Sequence, residues 1–416
     1  MAGARATHDP GAAAGSAHEP PARGVTFWLC AYALLVLFMG TNMPSPLYRV
    51  YQGEFGFSPL VVTLVFAVYV AALIPSLLLF GPLSDVIGRR RVLVPAFLLA
   101  VLGAAVFALA DGTGWLYAAR VVQGVAMGLG SGALTAAMAE TEPTGDRARA
   151  VVVATGCIVV GAGGGPLVAG LLAEYAPWPL ALVYLVEIVA IVPALYGVSR
   201  LPDVSPAVRW RPRRPQVPRS IREPFATASV SSFLAWAVTA LFLTLVPSYA
   251  SALAGTANVA VAGGVVSLLF AASAVVQLRG QGQEASGAQR RGLGLLVVGL
   301  VLLVTAGEAR SLPLLLVATV GAGLGQGLAF LGAMTAVSEV APADRHADIM
   351  STFYLLTYVG TGAPVIGVGL LATRVEVLPA VEVFAGALAV LCLAAFVRLT
   401  LGSRGLVAEP SGMPTP

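Results

Sequence analysis

The chain has 416 residues, of which 58% are hydrophobic and only 11% are charged. Soluble globular proteins carry about 25% charged residues, so this composition excludes an ordinary soluble enzyme. It also excludes a disordered scaffold, because disorder needs low hydrophobicity and high net charge. A membrane-spanning helix takes about 20 apolar residues, and the chain is long enough for about twelve such helices joined by short loops.

Apolar runs separated by short polar breaks predict an all-α integral membrane protein. Residues 1–24, rich in Ala, Gly, Pro and Ser, are predicted to be a disordered cytoplasmic tail. The apolar runs predict twelve transmembrane helices, numbered here as spans 1 to 12, at 26–48, 59–80, 92–110, 115–139, 150–173, 179–200, 225–250, 258–278, 292–307, 312–337, 349–372 and 378–401. They form two six-helix bundles at 25–200 and 225–402, with a basic cytoplasmic linker at 201–224 and a cytoplasmic tail at 403–416.

The distribution of arginine fixes the predicted orientation. All 24 basic residues are arginine, and an even number of spans places both termini on one side. If that side is the cytoplasm, 20 of the 24 arginines lie there, as the positive-inside rule requires. We therefore predict cytoplasmic termini in a bacterial plasma membrane, and the net charge of +4 indicates no nucleic-acid partner. The linker is interpreted as a tether between the halves, with binding to anionic lipid as the alternative.

Enzymatic, metal and nucleotide chemistry find no support in the sequence. The three cysteines and three histidines are too scattered for a metal site or a disulfide framework. The sequence has no nucleophile–base cluster and no glycine-rich phosphate loop that would bind ATP. We predict no cofactor, no metal and no enzymatic activity.

The two halves are predicted to be copies of one unit. The glycines and an acidic residue of segment 81–88 recur 199 residues later at 280–287, and Arg200 recurs 198 residues later as Arg398. Parallel repeats of six spans, with a binding site between them near the middle of the bilayer, are a transporter architecture.

The loop after span 2 reads G-P-L-S-D-V-I-G-R-R-R at residues 81–91. This pattern resembles the G-x-x-x-D-x-x-G-R-R signature of the major facilitator superfamily. The resemblance implies that the loop is a conformational latch that holds the two halves in the outward-facing state, formed by Gly81, Asp85, Gly88, Arg89 and Arg90. The alternative is an arginine cluster that acts only in membrane topology.

Span 4 contains Arg120 and Gln123 inside an apolar run. An arginine within a membrane costs roughly 2.5–3.5 kcal/mol on insertion scales, so it should face a polar cavity or a partner. Segment 120–124 resembles the superfamily's R-x-x-x-G motif, which implies a role in proton transfer or in binding an anionic substrate group. The alternative is that Arg120 extends to the outer interface, because it lies close to the start of its span.

Span 5 reads G-A-G-G-G-P-L-V-A-G at residues 161–170. It resembles the antiporter motif G-x-x-x-G-P-x-x-G-G, with alanine in place of the first glycine of the closing pair. The resemblance implies a drug/proton antiporter of the exporter class. In this interpretation Gly161, Gly165 and Gly170 permit close packing across the interface between the halves, and Pro166 bends the helix. The alternative is a kinked packing helix with no directional meaning.

Proton coupling needs a titratable group in the membrane. Glu187 lies well inside span 6 and is the predicted proton carrier, with a structural role as the alternative. Asn42, near the end of span 1, is a further polar candidate for the transport pathway, or it belongs to a simple helix terminus. The cavity wall is predicted to be apolar and aromatic and to come from spans 1, 2, 4, 5, 7, 8, 10 and 11, with the candidates Trp236, Phe242, Gln326, Tyr354 and Tyr358.

Together these features predict a secondary transporter that exports a hydrophobic drug or secondary metabolite in exchange for protons, by alternating access. Its predicted partners are the small-molecule substrate, protons and the lipid bilayer, and it is predicted to act as a monomer. A proton symporter that imports a small metabolite is the alternative within this class. A non-transporting membrane sensor is the alternative from another class, and it predicts no flux.

Overall fold

The computed structural model describes residues 23–81, 83–202, 217–255, 258–280, 282–342 and 345–405. Within these ranges all regular secondary structure is helical. Twelve of the helices are long and apolar enough to cross a membrane, which confirms the predicted all-α, twelve-span fold. Most of the predicted tails and of the basic linker, at 1–22, 406–416 and 203–216, lies outside the described residues.

Spans 1 to 12 are, in chain order, Arg23–Asn42, Pro59–Phe80, Arg89–Ala108, Thr113–Thr141, Arg147–Tyr175, Pro179–Ser199, Arg222–Thr244, Val259–Arg279, Ala285–Glu308, Leu312–Val340, His346–Leu371 and Val377–Gly405. Shorter helices are Tyr48–Phe55, Leu83–Ile87 and Val246–Ala254, and Arg219–Ile221 is a single 3-10 turn. We call the end of the bundle at which span 1 begins the near end and the opposite end the far end. Because short connections make consecutive spans antiparallel, span 2 begins at the far end and the loop at 81–88 lies at the near end.

Spans 1 and 7 are shorter than the sequence predicted, and each is followed by a separate short helix. They were expected to reach residues 48 and 250 but end at Asn42 and Thr244. Pro44 and Pro46 follow the end of span 1, and Pro247 is the second residue of the short helix after span 7. Proline lacks a backbone donor and clashes with the preceding helical turn, so neither span continues through these residues.

Span 9 begins at Ala285 rather than at the predicted residue 292, and span 12 continues past the predicted residue 401 to Gly405. The first turns of span 9 contain Ser286, Gln289 and Arg290. The apolar run therefore marks the part of the helix that spans the membrane, whereas the helix itself extends into the polar region at the near end.

The two halves have the same arrangement of helices. In the first half span 4 packs on spans 1, 2 and 3, and span 6 packs on spans 1 and 3. In the second half span 10 packs on spans 7, 8 and 9, and span 12 packs on spans 7 and 9. Every one of these pairs in the first half thus has its counterpart six spans later, as expected for a duplicated unit.

The halves meet along two helix pairs, span 5 with span 8 and span 2 with span 11. At the far end of the first pair, a methyl group added to Gly170 would lie 2.8 Å from the carbonyl oxygen of Val259. The backbone N–H of Val259 also donates to Glu174 Oε2 at 2.8 Å. At the far end of the second pair, a methyl group at Gly369 would overlap the side chain of Thr63. The two halves are therefore in close contact at the far end.

Candidate substrate cavity and buried polar cluster

A cavity of about 100 Å³ lies between the two halves. Its wall comes from spans 1, 2, 4 and 5 of the first half and spans 7, 8, 10 and 11 of the second half. None of the described wall residues is charged, and seven are aromatic: Phe38, Phe66, Tyr69, Trp236, Phe270, Phe330 and Tyr358. The cavity therefore presents rings and apolar side chains to whatever occupies it.

The structure brings four of the sequence candidates together at this wall, namely Asn42, Trp236, Gln326 and Tyr358. Two other candidates were wrong. Phe242 is fully buried inside the core of the second half. The hydroxyl of Tyr354 contacts Met334 Sδ at 3.6 Å instead of reaching the cavity. Phe242 lies on a predicted span, but its side chain packs within the second half. Tyr354 lies one helical turn before the wall residue Tyr358 but is not itself part of the wall.

The polar groups of the second-half wall are bonded mostly to one another. Ser273 Oγ donates to Gln326 Oε1 at 2.6 Å and accepts from Gln277 Nε2 at 2.8 Å. The indole Nε1 of Trp236 is buried and has no hydrogen-bond partner. Its ring is held edge-on to Phe330, with centroids 5.6 Å apart and an interplanar angle of 85°.

Arg120 is completely buried, 0% exposed, so the alternative that it extends to the interface is wrong. One guanidinium nitrogen, Nη1, donates to the Thr41 carbonyl at 2.9 Å and to Gln123 Oε1 at 2.6 Å. Nε donates to the hydroxyl of Tyr48 at 3.0 Å, and Nη2 donates to the same hydroxyl. Tyr48 begins the short helix at the far end, which closes over the guanidinium and separates it from solvent.

Aromatic rings complete the surroundings of Arg120. The guanidinium carbon lies 5.5 Å from the ring centre of Tyr69, 6.0 Å from that of Phe66 and 5.8 Å from that of Phe107. Such contacts stabilise a desolvated cation, because the ring faces are electron-rich. Phe66 and Tyr69 also form part of the cavity wall, so the positive charge lies directly behind that wall.

Glu187 is 3% exposed, and its carboxylate lies against Gly40 of span 1. A methyl group at Gly40 would overlap this carboxylate. One carboxylate oxygen, Oε2, has no hydrogen-bond partner. The carbonyl of Gly40 accepts from Gln123 Nε2 at 3.0 Å, so residues 40 and 41 of span 1 lie between Arg120 and Glu187. We call Arg120, Gln123 and Glu187 the buried polar cluster; none of them lines the cavity.

Three tyrosines beside the buried polar cluster were missed by the sequence analysis. Tyr48 holds Arg120, and Tyr51 donates its hydroxyl to that of Tyr184 at 3.1 Å. Tyr184 also stacks on Phe107 with ring centres 4.8 Å apart. One available signal was spacing: Tyr184 lies one helical turn before Glu187 and therefore on the same face of span 6.

At the near end, the residues predicted to form the latch bond within the first half. Arg89 Nη1 pairs with Asp85 Oδ1 at 2.5 Å, and Nη2 pairs with Glu140 Oε1 of span 4 at 2.8 Å. Gly88 adopts a φ of 98°, which side chains of L-residues rarely adopt, whereas Gly81 has ordinary helical angles. Arg90 is exposed. The contacts of Arg89 tie the loop to span 4 in this conformation.

The near-end connection between spans 4 and 5 is a second polar turn. Glu142 Oε2 accepts from the backbone N–H groups of Thr144 and Asp146 at 2.7 and 2.8 Å, and Oε1 pairs with Arg149 at 3.2 Å. Desolvation opposes ionisation, but the hydrogen bonds and the arginine together lower the pKa of the Glu142 carboxyl. Asp146 in turn caps span 5 by accepting from the N–H of Ala148 at 2.9 Å.

The glycines of span 5 lie on two faces. A methyl group at Gly161 or Gly165 would overlap a carbonyl of span 1, so these two pack within the first half. Gly170 and Gly163 instead face span 8 of the second half, as does the carbonyl of Pro166. The expectation that all the motif glycines pack across the interface was therefore wrong for Gly161 and Gly165. Within the described residues, no group of three or more His, Cys, Asp or Glu side chains could hold a metal ion.

Comparison with known proteins identifies the family. Residues 30–281, more than half of the chain, match the model of the Major Facilitator Superfamily. The uncharacterized MFS-type transporter YybF of Bacillus subtilis is 29% identical over 171 residues, which cover 41% of this chain and 41% of YybF. The cephamycin export protein CmcT of Amycolatopsis lactamdurans is 30% identical over 176 residues, which cover 41% of this chain and 35% of CmcT. The matched segments thus span less than half the length of these relatives.

The overall fold also matches that of a solved structure. A bacterial homologue of the human lysosomal transporter Spinster, in an inward-facing and occupied conformation, superposes with a TM-score of 0.72, covering 95% of this chain and 100% of that one. Sequence identity is 14%, so this likeness concerns the fold alone. The matched family model, the twelve spans and the duplicated helix arrangement agree with one another. The chain belongs to the Major Facilitator Superfamily, and its described part has twelve helices that are long and apolar enough to cross a membrane.

Proposed function

We propose that this transporter exports a hydrophobic drug or secondary metabolite from a bacterial cytoplasm in exchange for protons. In the proposed orientation both chain termini lie on the cytoplasmic side of the membrane. The observation that carries the proposal is the buried polar cluster. Glu187 is a buried carboxyl group with an unbonded oxygen, and it lies across span 1 from a fully buried arginine. Ionisable groups of this kind inside a membrane bundle typically serve ion or proton pathways.

Glu187 carries the proton in this mechanism. An ionised carboxylate without partners is costly in a medium of low dielectric constant, so Glu187 holds a proton when the charge of Arg120 does not compensate it. When the two groups approach, the positive charge stabilises the carboxylate and the proton leaves. The cycle therefore requires a small relative movement of span 4 and span 6.

Span 1 connects this proton site to the cavity. The Gly40 and Thr41 carbonyls accept hydrogen bonds from Gln123 and Arg120. Thr41 and Asn42 are also part of the cavity wall. A substrate that displaces the end of span 1 thus shifts the acceptors that position Arg120, and through Arg120 it affects the protonation of Glu187.

The contacts between the halves support alternating access. Close approaches at Gly170 and Gly369 join the halves at the far end, which is the outer side in the proposed orientation. A closed outer side is the arrangement expected of a conformation whose cavity faces the cytoplasm. In the opposite conformation the near ends close, and Asp85 and Arg89 are then placed to engage the second half. The salt bridge between Arg89 and Glu140 is exchanged for those contacts.

Export, rather than import, is supported by the span 5 motif and by the similarity to CmcT, a cephamycin export protein. A proton symporter would use the same cluster with the opposite coupling. A sensor without transport activity would not need the unbonded carboxyl group.

Transport in membrane vesicles tests the proposal. Inside-out vesicles with an acidic interior are incubated with radiolabelled chloramphenicol, a neutral aromatic amide that serves as the probe. An exporter accumulates the probe, and nigericin, which collapses the pH difference, abolishes accumulation. Accumulation only in right-side-out vesicles with an acidic exterior would establish symport instead, and flux that is insensitive to nigericin in both orientations would contradict proton coupling.

A further inference from the structure

The cavity wall contains a hydrogen-bond donor that the protein does not use. The indole N–H of Trp236 is buried and unbonded, although buried polar groups in proteins are almost always paired. An unpaired buried donor costs about 1–3 kcal/mol in general, so such a group in a binding cavity marks a position where a ligand supplies the acceptor.

Other polar side chains of the cavity wall form hydrogen bonds within the protein. Gln326 Oε1 accepts from Ser273, and Ser273 Oγ accepts from Gln277. On the opposite wall, the Asn42 amide donates to the Phe38 carbonyl at 2.9 Å, and Thr41 Oγ1 donates to the Leu37 carbonyl at 2.8 Å. Among the fully buried side-chain nitrogen and oxygen atoms of the described wall residues, the indole Nε1 is the one without a hydrogen-bond partner.

Charge on the ligand is disfavoured. No described wall residue is acidic or basic. Arg120 lies behind Phe66 and Tyr69, and its N–H groups are directed to Tyr48, Thr41 and Gln123 rather than into the cavity. An ion entering the cavity would therefore lose its water without gaining a charged partner.

The shape and chemistry of the wall favour a flat ring system. Seven aromatic side chains line a cavity of about 100 Å³. The contact with Phe330, with the two ring planes at 85° to each other, restrains the plane of the Trp236 ring and thereby the plane that contains the N–H bond. A ring stacked among these side chains with an oxygen in its own plane can meet that N–H without losing its aromatic contacts.

We infer that the cavity binds an uncharged planar aromatic compound of about two rings whose carbonyl or ether oxygen accepts a hydrogen bond from the Trp236 indole N–H. The inference specifies the substrate class of the proposed exporter and rests on that proposed function for its physiological meaning. The binding itself requires neither a proton gradient nor transport.

Matched ketone and hydrocarbon probes test the inference. The protein is labelled with nitrogen-15 at the indoles of its five tryptophans and titrated with 1-indanone, indane and indane-1-carboxylate. These probes share one bicyclic skeleton and differ in the acceptor or the charge. We expect 1-indanone to move the Trp236 N–H proton resonance downfield. Indane exerts a similar ring-current effect but accepts no hydrogen bond, so it should not cause this downfield shift.

A variant assigns the signal and measures the bond. Trp236→Phe removes one resonance and should weaken 1-indanone binding about 3- to 10-fold, the effect of losing one neutral hydrogen bond, with indane binding changed less than about 2-fold. Trp178→Phe is the matched control, because Trp178 is 73% exposed and lies outside the cavity. If Trp236→Phe does not fold, a chain in which the other four tryptophans are phenylalanine gives the same assignment.

Three outcomes would overturn the inference: equal shifts with the ketone and the hydrocarbon, no shift with either, or tighter binding of the carboxylate than of 1-indanone. The test separates this inference from the proposed function. If proton-driven transport fails but the ketone-specific shift is observed, only the proposed function is contradicted. If proton-driven export is observed without that shift, only the inferred substrate class is contradicted.

Discussion

The two halves of the molecule share one scaffold but bury different side chains. Spans 4 and 10 have equal length and are offset by 199 residues, so Arg120 and Gln123 correspond to Thr319 and Ala322. At the offset of 198 residues that relates Arg200 to Arg398, Glu187 corresponds to Ala385. The second half forms the same helix arrangement without any of these charges. The fold therefore does not require the buried polar cluster, which supports a role in function.

A second difference concerns the hydrogen-bond partner of one tyrosine in each half, at the far end. In the first half Tyr51 bonds to Tyr184, and at the positions 198 residues later Tyr249 contacts Glu382 Oε1 at 3.3 Å. Tyr249 also donates to the Leu303 carbonyl at 3.0 Å. The carboxyl group of the second half thus has a tyrosine partner, whereas Glu187 in the first half retains an unbonded oxygen. The comparison supports placing the proposed proton coupling in the first half.

The largest effect is expected from Arg120→Ala. The substitution leaves the Thr41 carbonyl and Gln123 Oε1 without their donor and removes the charge that stabilises ionised Glu187. We expect transport to be abolished while membrane insertion is retained, with a stability cost of about 3–5 kcal/mol as for other broken buried ionic networks. Vesicle transport and thermal unfolding of purified protein measure the two effects.

The equivalent substitution in the second half, Thr319→Ala, is the matched control. It removes one hydroxyl that bonds within its own helix, to the Leu315 carbonyl at 2.8 Å, and should cost less than about 1 kcal/mol. Full transport by the Arg120→Ala variant would show that the role assigned to Arg120 is wrong.

Gly40→Ala is expected to have the next largest effect. The added methyl group overlaps the Glu187 carboxylate, so span 1 or span 6 must shift at a cost of about 1–3 kcal/mol. Gly132→Ala in span 4 is the control, because no atom lies within 4 Å of the added methyl group. That variant should be neutral or slightly more stable, since alanine favours helix over glycine.

A double-mutant cycle attributes the Gly40 effect to its cause. In the background Glu187→Ala, the carboxylate is absent and Gly40→Ala should lose most of its cost. Equal destabilisation in both backgrounds, measured by thermal unfolding, would mean that Gly40 and Glu187 do not pack as described.

The smallest effects should come from the two tyrosine pairs. Tyr249→Phe removes a hydroxyl whose single proton is shared between the Leu303 carbonyl and Glu382 Oε1, whereas Tyr51→Phe loses only the bond to Tyr184. We expect Tyr249→Phe to cost about 1–2 kcal/mol and Tyr51→Phe about 0.5–1 kcal/mol in unfolding free energy. The reverse order would remove the structural distinction between the two far-end pairs.

Much of the architecture could be predicted from the sequence because the membrane imposes simple rules. Apolar runs of about 20 residues located twelve spans, and the cost of a buried charge drew attention to Arg120 and Glu187. What the sequence could not supply was the direction of each side chain. In a span that is apolar all round, hydrophobic periodicity does not distinguish the lipid, core and cavity faces. Phe242, which lies on a core face of span 7, was misassigned for this reason.

Long-range packing was the other unpredictable component. The contact between Glu187 and Gly40 joins spans 6 and 1, and the pairing of Tyr48 with Arg120 joins the far-end helix to span 4. No local pattern specifies these contacts, because they depend on how six helices pack together. The two prolines after span 1 were visible in the sequence, but the separate helix that follows them was not.

Transport by reconstituted variants tests whether Glu187 carries the coupled proton. Glu187→Gln and its control Glu382→Gln are reconstituted in proteoliposomes, and both pH-driven uptake and equilibrium exchange of radiolabelled chloramphenicol are recorded. We expect Glu187→Gln to lose pH-driven uptake but to retain exchange, which needs no net proton movement. We expect Glu382→Gln to retain both. Normal pH-driven uptake by the Glu187→Gln variant would contradict the role of Glu187 as the proton carrier.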